Sequence, residues 1–347
     1  MSVCKATNVG YKIVRLQEVA LSTDTTGKLS AILKLVHQYD WADESFCEKK
    51  AQVCSELSAI VYEDVTEYEL KNASRIHLFA SDAFREIVKR KKPNSIQFNP
   101  RELENQVFLS RGSNAVVLGV VTRDVIILAV RGTVKTELWD WKTNVDSRKY
   151  NLSQSLSSCS FFEQGMIHYR LDDIFFHRGF FEAIVPQFSA IAEEIKKITS
   201  TSKATGRKVI WTGHSLGGAM AAVAHAINDS DVVKMNPDLT VHAKYTNAYT
   251  FGMPRYCGLG AVCNFVNPFH IFRTQDLVPT IPMRRMGFSD VQNEHELTDN
   301  GKLILGVRTD SFGVLGHVPK LLTSLKSHSI ESYADLLSKV TSIPRPK

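Results

Sequence analysis

The chain has little of what marks an exported or membrane-spanning protein. No stretch approaches the roughly eighteen uninterrupted apolar residues that a membrane-spanning helix needs. The N-terminus lacks the continuous apolar core of a signal peptide, because Lys5, Lys12 and Arg15 interrupt it. We therefore expect an intracellular, cytoplasmic protein without a transmembrane segment.

Cysteine and charge of one sign are also scarce. The six cysteines form no CxxC pair and no Cys/His metal pattern, so we expect reduced thiols, most of them buried. The net charge is only +6, and the basic residues are scattered apart from the short run 89–92. A nucleic-acid binder would concentrate them on one face, so no nucleic-acid partner is expected. The charge indicates a solvated surface, with weak attraction to anionic lipid as the alternative.

Hydrophobic periodicity divides the chain near residue 110. Before it, helical stripes cover 29–36, 53–61 and 76–88. After it, apolar β-branched runs predict a hairpin over 115–121 and 125–130, and strands over 208–212, 245–251 and 269–273. Helices are predicted over 181–198, with a kink or boundary at Pro186, and over 219–227 and 330–340. Alternating strands and helices predict an α/β fold with a mainly parallel central sheet covered by helices on both faces.

The motif that carries chemistry runs from Gly213 to Gly217 and reads GHSLG, a match to G-x-S-x-G. A predicted strand leads into it and a predicted helix leaves it, so Ser215 is expected on a sharp turn that is too tight for a Cβ at the flanking glycines. The helix N-terminus adds N–H groups where an oxyanion would form. A fortuitous glycine-rich turn is the alternative, but strand, motif and helix together favour Ser215 as a nucleophile.

An acid and a base are expected to follow the serine in that chain order. Asp276 lies just past the predicted strand 269–273, where an acid is expected at the carboxyl end of a strand. Three other aspartates fall in a polar loop and are more simply solvent-exposed: Asp229, Asp231 and Asp238.

A serine hydroxyl is a poor nucleophile until a base takes its proton. Three histidines follow Asp276: His295, His317 and His328. We favour His328, because it lies at the start of the last helix, on a loop that could reach over the sheet. We interpret His214, next to the serine, as structural and His225, on the following helix, as packed.

Five motifs in order resemble those of the class 3 lipases, the family of fungal triacylglycerol lipases and of plant and animal relatives that act on glycerolipids. The motifs are GHSLGG at 213–218, an apolar strand ending in RGT at 131–133, H-x-G-F at 177–180, D-x-V-P at 276–279 and a histidine before a short helix at His328. The resemblance covers roughly residues 45 to 340. It implies an α/β-hydrolase domain over 46–347, preceded by a helical N-terminal extension over 1–45.

The resemblance also implies a mechanism. Ser215, Asp276 and His328 would form a catalytic triad, and the backbone N–H groups of Leu216 and Thr133, with the Thr133 hydroxyl, would form the oxyanion hole. The substrate would be an acyl ester lipid met in transient contact with a lipid surface, and no metal or cofactor would be needed. Residues 134–141 are the lid candidate. The segment 150–176 is longer than the family needs, and it is either a second lipid-contacting flap or a packed surface loop.

Several functions remain open at this stage. The leading hypothesis is a lipase that cleaves triacylglycerol or diacylglycerol, and the first alternative is a phospholipase A1 or soluble carboxylesterase. An inactive lipase-like signalling or interaction module and an acyl-chain binding protein are alternatives of another class. Acyl transfer to an alcohol other than water would use the same residues.

Overall fold

A mixed β-sheet forms the centre of the computed structural model, which describes residues 12–15, 23–62, 107–112, 115–131, 148–152, 174–199, 207–228, 246–306 and 326–346. The strands of this sheet are β1 (Lys12–Arg15), β2 (Val107–Arg111), β3 (Val116–Val121), β4 (Val125–Arg131), β7 (Lys208–His214), β8 (Thr246–Phe251), β9 (Phe269–Phe272), β10 (Glu294–Leu297) and β11 (Leu303–Leu305). A separate two-stranded ribbon pairs β5 (Lys149–Asn151) with β6 (Phe175–His177).

Helices flank the sheet. They are α1 (Thr23–Val36), α2 (Glu48–Ile60), α3 (Arg178–Ile184), α4 (Phe188–Thr199), α5 (Leu216–Asn228), α6 (Leu259–Asn264) and α7 (Ile330–Thr341). Nowhere in the described ranges is a helix long and apolar enough to cross a membrane.

The strand order is β1-β2-β3-β4-β7-β8-β9-β10-β11. The five consecutive strands β4, β7, β8, β9 and β10 run parallel to their neighbours, and antiparallel strands extend the sheet at both edges. The carboxyl ends of the parallel strands therefore lie along one edge of the sheet. In open α/β sheets this is the edge where ligands bind.

Alternation along β4 explains why the sheet carries helices on both faces. Ile126, Leu128 and Val130 belong to one hydrophobic core, together with α3, α4, α5 and α6. Val125, Ile127 and Ala129 point the other way, into a second core formed with α1, α2 and α7. Successive strand residues face opposite sides, so an unbroken apolar run requires cover on both. The predicted α/β-hydrolase fold, with its parallel sheet between two helical layers, is confirmed.

Most of the predicted elements lie where the sequence indicated. The hairpin β3–β4, the strands β7, β8 and β9, and the helices α5 and α7 match their predicted positions. A short 3₁₀ turn at Val185–Gln187 separates α3 from α4, which is the boundary expected at Pro186. The stripes over 29–36 and 53–61 lie in or at the ends of α1 and α2, whereas the stripe over 76–88 lies outside the described residues.

Four strands of the central sheet were not predicted: β1, β2, β10 and β11. Each has five residues or fewer, too short for an alternating pattern to stand out. The strand β1 pairs with β2, and α1 packs in the same core as α2, so the segment expected as a helical extension also contributes a strand to the central sheet. The division of the chain at residue 45 stays a prediction.

Candidate active site

Ser215 lies on the turn between β7, which ends at His214, and α5, which begins at Leu216. Its backbone is left-handed, with φ of 57°, a conformation that a non-glycine residue adopts at a cost of about 1–3 kcal/mol. The Ser215 N–H donates to the carbonyl of Phe251 at 3.0 Å, which fastens the turn to β8. A Cβ at Gly213 would come within 2.5 Å of the Gly217 backbone, so the tight turn requires glycine there.

His328 lies between Ser215 and Asp276. Its Nε2 is 2.8 Å from the Ser215 Oγ, and its Nδ1 is 2.8 Å from the Asp276 Oδ2. A carboxylate only accepts, so Nδ1 carries the proton and Nε2 is left to accept from the serine hydroxyl. All three side chains are buried. The residues that sequence reasoning selected from three different parts of the chain are thus in hydrogen-bond contact.

Asp276 follows β9 and has further donors besides His328. Its Oδ1 accepts from the N–H of Val278 at 2.9 Å, and its Oδ2 accepts from the Tyr333 hydroxyl at 2.9 Å. These donors compensate the carboxylate for its loss of water, since a buried charge without partners is costly. Burial, and after it the charge of Asp276, raises the pKa of Tyr333 well above its usual value, so this hydroxyl stays a donor.

Gly252, just past β8, gives the carboxylate its space. Its φ is +53°, and a Cβ placed on it would lie 2.6 Å from the Asp276 Oδ2 and 3.3 Å from the His328 Nδ1. Any side chain at this position would collide with the hydrogen bond between the acid and the base. Glycine is therefore required both by the backbone conformation and by close approach.

Arg273, at the carboxyl end of β9, ties the acid loop to the segment that carries His328. Its Nη1 donates to the carbonyl of Ser327 at 3.3 Å and to the Ser332 hydroxyl, and its Nη2 forms an ion pair with Asp299 at 2.6 Å. The backbone N–H of Arg273 donates to the Tyr333 hydroxyl at 3.2 Å. The distance between acid and base is thus held by contacts outside the triad.

Tyr333, Gly252 and Arg273 were not predicted as site residues. Tyr333 lies on the apolar face of α7 and looks like an ordinary core residue in the sequence, and neither Gly252 nor Arg273 belongs to a motif of catalysis. The placement of Tyr333 close behind His328, near the start of α7, was the only available signal, and it becomes meaningful once His328 is known to face Asp276.

The candidate oxyanion donors are described only in part. Leu216 is the first residue of α5, and the first N–H groups of a helix have no acceptor within the helix. Its N–H is therefore directed outward beside Ser215, where the helix dipole also contributes partial positive charge. Thr133 and the lid candidate 134–141 lie outside the described residues.

The other histidines considered for the base lie elsewhere. His295 is in β10, where its ring stacks on Phe46 with centroids 3.8 Å apart. His225 is buried within α5, and burial lowers its pKa to about 3. His317 and the three loop aspartates considered for the acid lie outside the described residues.

The H-x-G-F motif and the long segment before it, 150–176, are described in part. His177 is buried at the start of α3, and its ring stacks on Phe180 with centroids 4.2 Å apart. Both ends of the segment 150–176 are joined in the β5–β6 ribbon, where Tyr150 is paired with Phe176. Residues 153–173, between those ends, lie outside the described part, so the choice between flap and packed loop stays open.

Within the described ranges, no group of three His, Cys, Asp or Glu side chains is arranged to hold a metal ion.

Comparison with solved structures gives loose likenesses to fungal lipases. A mutant form of MDLA from Penicillium cyclopium superposes with a TM-score of 0.48 at 18% identity, over 81% of this chain and 92% of that one. A lipase from Rhizopus microsporus var. chinensis superposes with a TM-score of 0.34 at 20% identity, over 56% of each chain. The fold assignment rests on the strand order and the turn at Ser215 rather than on these superpositions.

Sequence comparison finds class 3 lipase similarity over part of the chain. A curated relative, secreted mono- and diacylglycerol lipase 1 of Fusarium solani, is 28% identical over 199 residues, which are 55% of this chain and 49% of the relative. The chain therefore spans about half the length of that relative. Because the relative is secreted, the cytoplasmic location stays a prediction.

The class 3 lipase family model matches residues 127–286, a range that contains Thr133, Ser215, Leu216 and Asp276 but ends before His328. The chain therefore carries a class 3 lipase region, and the family resemblance predicted from its motifs is confirmed.

Proposed function

We propose that this protein is a serine hydrolase that cleaves acyl ester bonds of glycerolipids by way of an acyl-enzyme. One observation carries the proposal: the unbroken hydrogen-bond chain from Ser215 through His328 to Asp276, with both links at 2.8 Å. This is the geometry of an activated serine, with a base to accept its proton and an acid to hold the base in the required tautomer.

In the first half of the reaction, the Ser215 Oγ attacks the carbonyl carbon of the ester while His328 Nε2 takes the hydroxyl proton. Asp276 stabilises the imidazolium that forms. The oxyanion of the tetrahedral intermediate would accept from the Leu216 N–H and, by family resemblance, from Thr133. Removing one donor of this kind typically lowers the rate on the order of 100-fold.

In the second half, His328 returns its proton to the departing alcohol, which leaves the acyl group on Ser215. A water molecule then attacks the acyl carbonyl carbon while His328 takes its proton. His328 returns that proton to the Ser215 Oγ as the acyl–serine bond breaks and the fatty acid leaves. Each bond change is accounted for by these side chains, the ester and one water.

A glycerolipid substrate is supported by the family and by the relative whose name describes action on mono- and diacylglycerol. Contact with a lipid surface, and with it a role in lipid degradation, is supported by the same family match.

The test is covalent labelling with an alkyl fluorophosphonate, read as intact mass. We expect one adduct on the wild-type protein and none on Ser215→Ala or His328→Gln. His295→Gln is the matched control, because it removes a buried histidine that lies away from the triad, and it should label like the wild type. If the wild type forms no adduct even with detergent present, the inactive-module and lipid-binding hypotheses replace the hydrolase.

The same preparation then separates the enzyme alternatives. Triacylglycerol, diacylglycerol, phospholipid and a short-chain ester are each supplied below and above their solubility limits, with the alcohol products followed to detect acyl transfer. A lipase acting at an interface should gain rate sharply when the ester forms a separate phase. A rate that saturates on dissolved short-chain ester alone would favour the soluble carboxylesterase, and selective cleavage of phospholipid would favour phospholipase A1.

A further inference from the structure

We propose that His214 is a positioning residue for catalysis, which holds the base His328 by its backbone while Asp276 holds it by its side chain. The proposal rests on the proposed function of Ser215 and His328. It assigns a role to the histidine of the GHSLGG motif, which the mechanism above leaves without one.

The contact itself is short and buried. The His214 Nε2 lies 2.5 Å from the carbonyl oxygen of His328, and both residues are buried. A carbonyl oxygen only accepts, so Nε2 must carry a proton and donate it. The two imidazole rings are also in contact, tilted by 38° with their centroids 4.6 Å apart. His214 therefore contacts both the backbone and the ring of the base.

His214 is itself held firmly in place. It is the last residue of β7, next to the strained Ser215, and its own carbonyl accepts from the Tyr62 hydroxyl at 3.1 Å. The rings of Tyr62 and Tyr333 flank its imidazole, with centroids 5.8 and 6.0 Å away. The strand that positions the nucleophile thus also provides a fixed donor for the base.

The base needs such a support because its side chain has no ring nitrogen left for a further hydrogen bond. Both ring nitrogens of His328 are engaged, one by Ser215 and one by Asp276, so a further constraint must act on the main chain or the ring face. His328 lies in the short connection before α7 rather than inside a helix or strand, where the ladder of backbone hydrogen bonds would hold it. An error of about 1 Å in the position of a reacting group can lower a rate 100-fold.

Two amide substitutions test the proposal with matched chemistry. In His214→Gln the side-chain NH₂ reaches about as far as the imidazole Nε2, whereas in His214→Asn the same group is one methylene too short. We expect His214→Gln to keep kcat within about threefold of wild type, and His214→Asn to lose about 10- to 100-fold in kcat at unchanged KM. Rates are divided by the fraction of protein that fluorophosphonate can label, so loss of folded protein does not count as loss of kcat.

A spectroscopic measurement tests the same contact without turnover. In protein labelled with ¹⁵N-histidine, the Nδ1 proton shared by His328 and Asp276 should give a low-field signal that persists in His214→Gln and broadens in His214→Asn. This pair of spectra is read even if the wild type proves inactive, so failure of the hydrolase proposal and failure of the positioning proposal are distinguishable. Equal kcat in the two amide variants together with equal low-field signals would overturn the role of His214.

A third variant covers the case in which neither amide variant folds. His214→Met keeps side-chain volume but has no donor, and it should fold and show the kcat loss expected of His214→Asn. Wild-type kcat in His214→Met would exclude the hydrogen bond as the source of positioning.

Discussion

At the scale of single residues, the hydroxyl of Tyr333 carries the most specific expectation outside the triad. It donates to the Asp276 Oδ2 at 2.9 Å and accepts from the backbone N–H of Arg273 at 3.2 Å. Tyr333→Phe keeps the buried ring but removes this link, and a hydrogen bond to a charged group contributes about 1.5–3 kcal/mol. We expect a kcat lower by roughly 10-fold or more, together with a lower melting temperature.

Tyr256→Phe is the control for that substitution. Tyr256 is also fully buried, but it lies in the core on the other face of the sheet from Tyr333. It should lose stability and retain wild-type kcat per labelled active site. Equal kcat losses in the two phenylalanine variants would indicate a general packing effect and exclude a specific role for the Tyr333 hydroxyl.

At the scale of elements, α5 connects the site to the core. The helix is buried along its whole length, and its small alanine side chains let it pack closely on the strands β4, β7 and β8. In the last turn of this helix His225 is buried, and burial lowers its pKa from 6.5 to about 3. Below about pH 6.5 the His225 imidazole therefore binds a proton in the unfolded chain but stays neutral in the folded protein.

The sign of this linkage predicts acid sensitivity. A depressed pKa in the folded state contributes stability that is present above pH 6.5 and is lost as the pH falls toward 3. At pH 5 the loss is on the order of 2 kcal/mol, from about 1.4 kcal/mol per pH unit. We expect His225→Leu to show a smaller drop in unfolding free energy between pH 7.5 and pH 5 than wild type, as measured by urea denaturation.

The exposed His37 supplies the comparison for His225. His37→Gln should reproduce the wild-type dependence on pH, since it replaces a histidine on the surface and leaves the buried His225 in place. If His225→Leu follows the same curve as wild type, the acid sensitivity arises elsewhere in the molecule.

At the scale of the whole molecule, the C-terminal segment fastens α7 to α2. Arg345 makes two parallel bonds to the Glu56 carboxylate, at 2.8 and 3.0 Å, and a third to Asp335 at 2.8 Å. The Gln52 side chain donates to the carbonyl of Ile343 at 2.8 Å. Because α7 carries Tyr333 and follows His328 directly, this fastening also holds one side of the candidate active site.

We expect Arg345→Met to lower the unfolding free energy by about 1–3 kcal/mol, because Glu56 is left as a buried charge without its bidentate partner. The loss is at the lower end if water enters beside the arginine, whose side chain is 27% exposed. The double variant Arg345→Met with Glu56→Gln removes the stranded charge and should recover part of the loss. A double variant no more stable than the single one would show that the charge of Glu56 is not the cause.

The sequence predicted the local features of this protein well. Apolar β-branched runs indicated β3, β4 and β7, because a strand that is buried on both faces is apolar at successive residues. The alanine-rich stretch after the serine indicated α5, because alanine favours helix. The pattern did not indicate β10, whose four residues read Glu-His-Glu-Leu and include three polar ones. Short strands of this kind form because β9 provides a partner edge, and that edge exists only after folding.

The order and identity of the residues in the candidate site follow from the sequence alone: a serine on a strand-to-helix turn, then an aspartate after a strand, then a histidine before the last helix. This is possible because each residue type is constrained by its own local turn and chain order. The tertiary structure decided what surrounds them. Tyr333, Gly252, Arg273 and His214 contact the acid or the base only because the carboxyl ends of β7, β8 and β9 meet the start of α7. Contacts between residues so far apart in the sequence leave no local pattern to read.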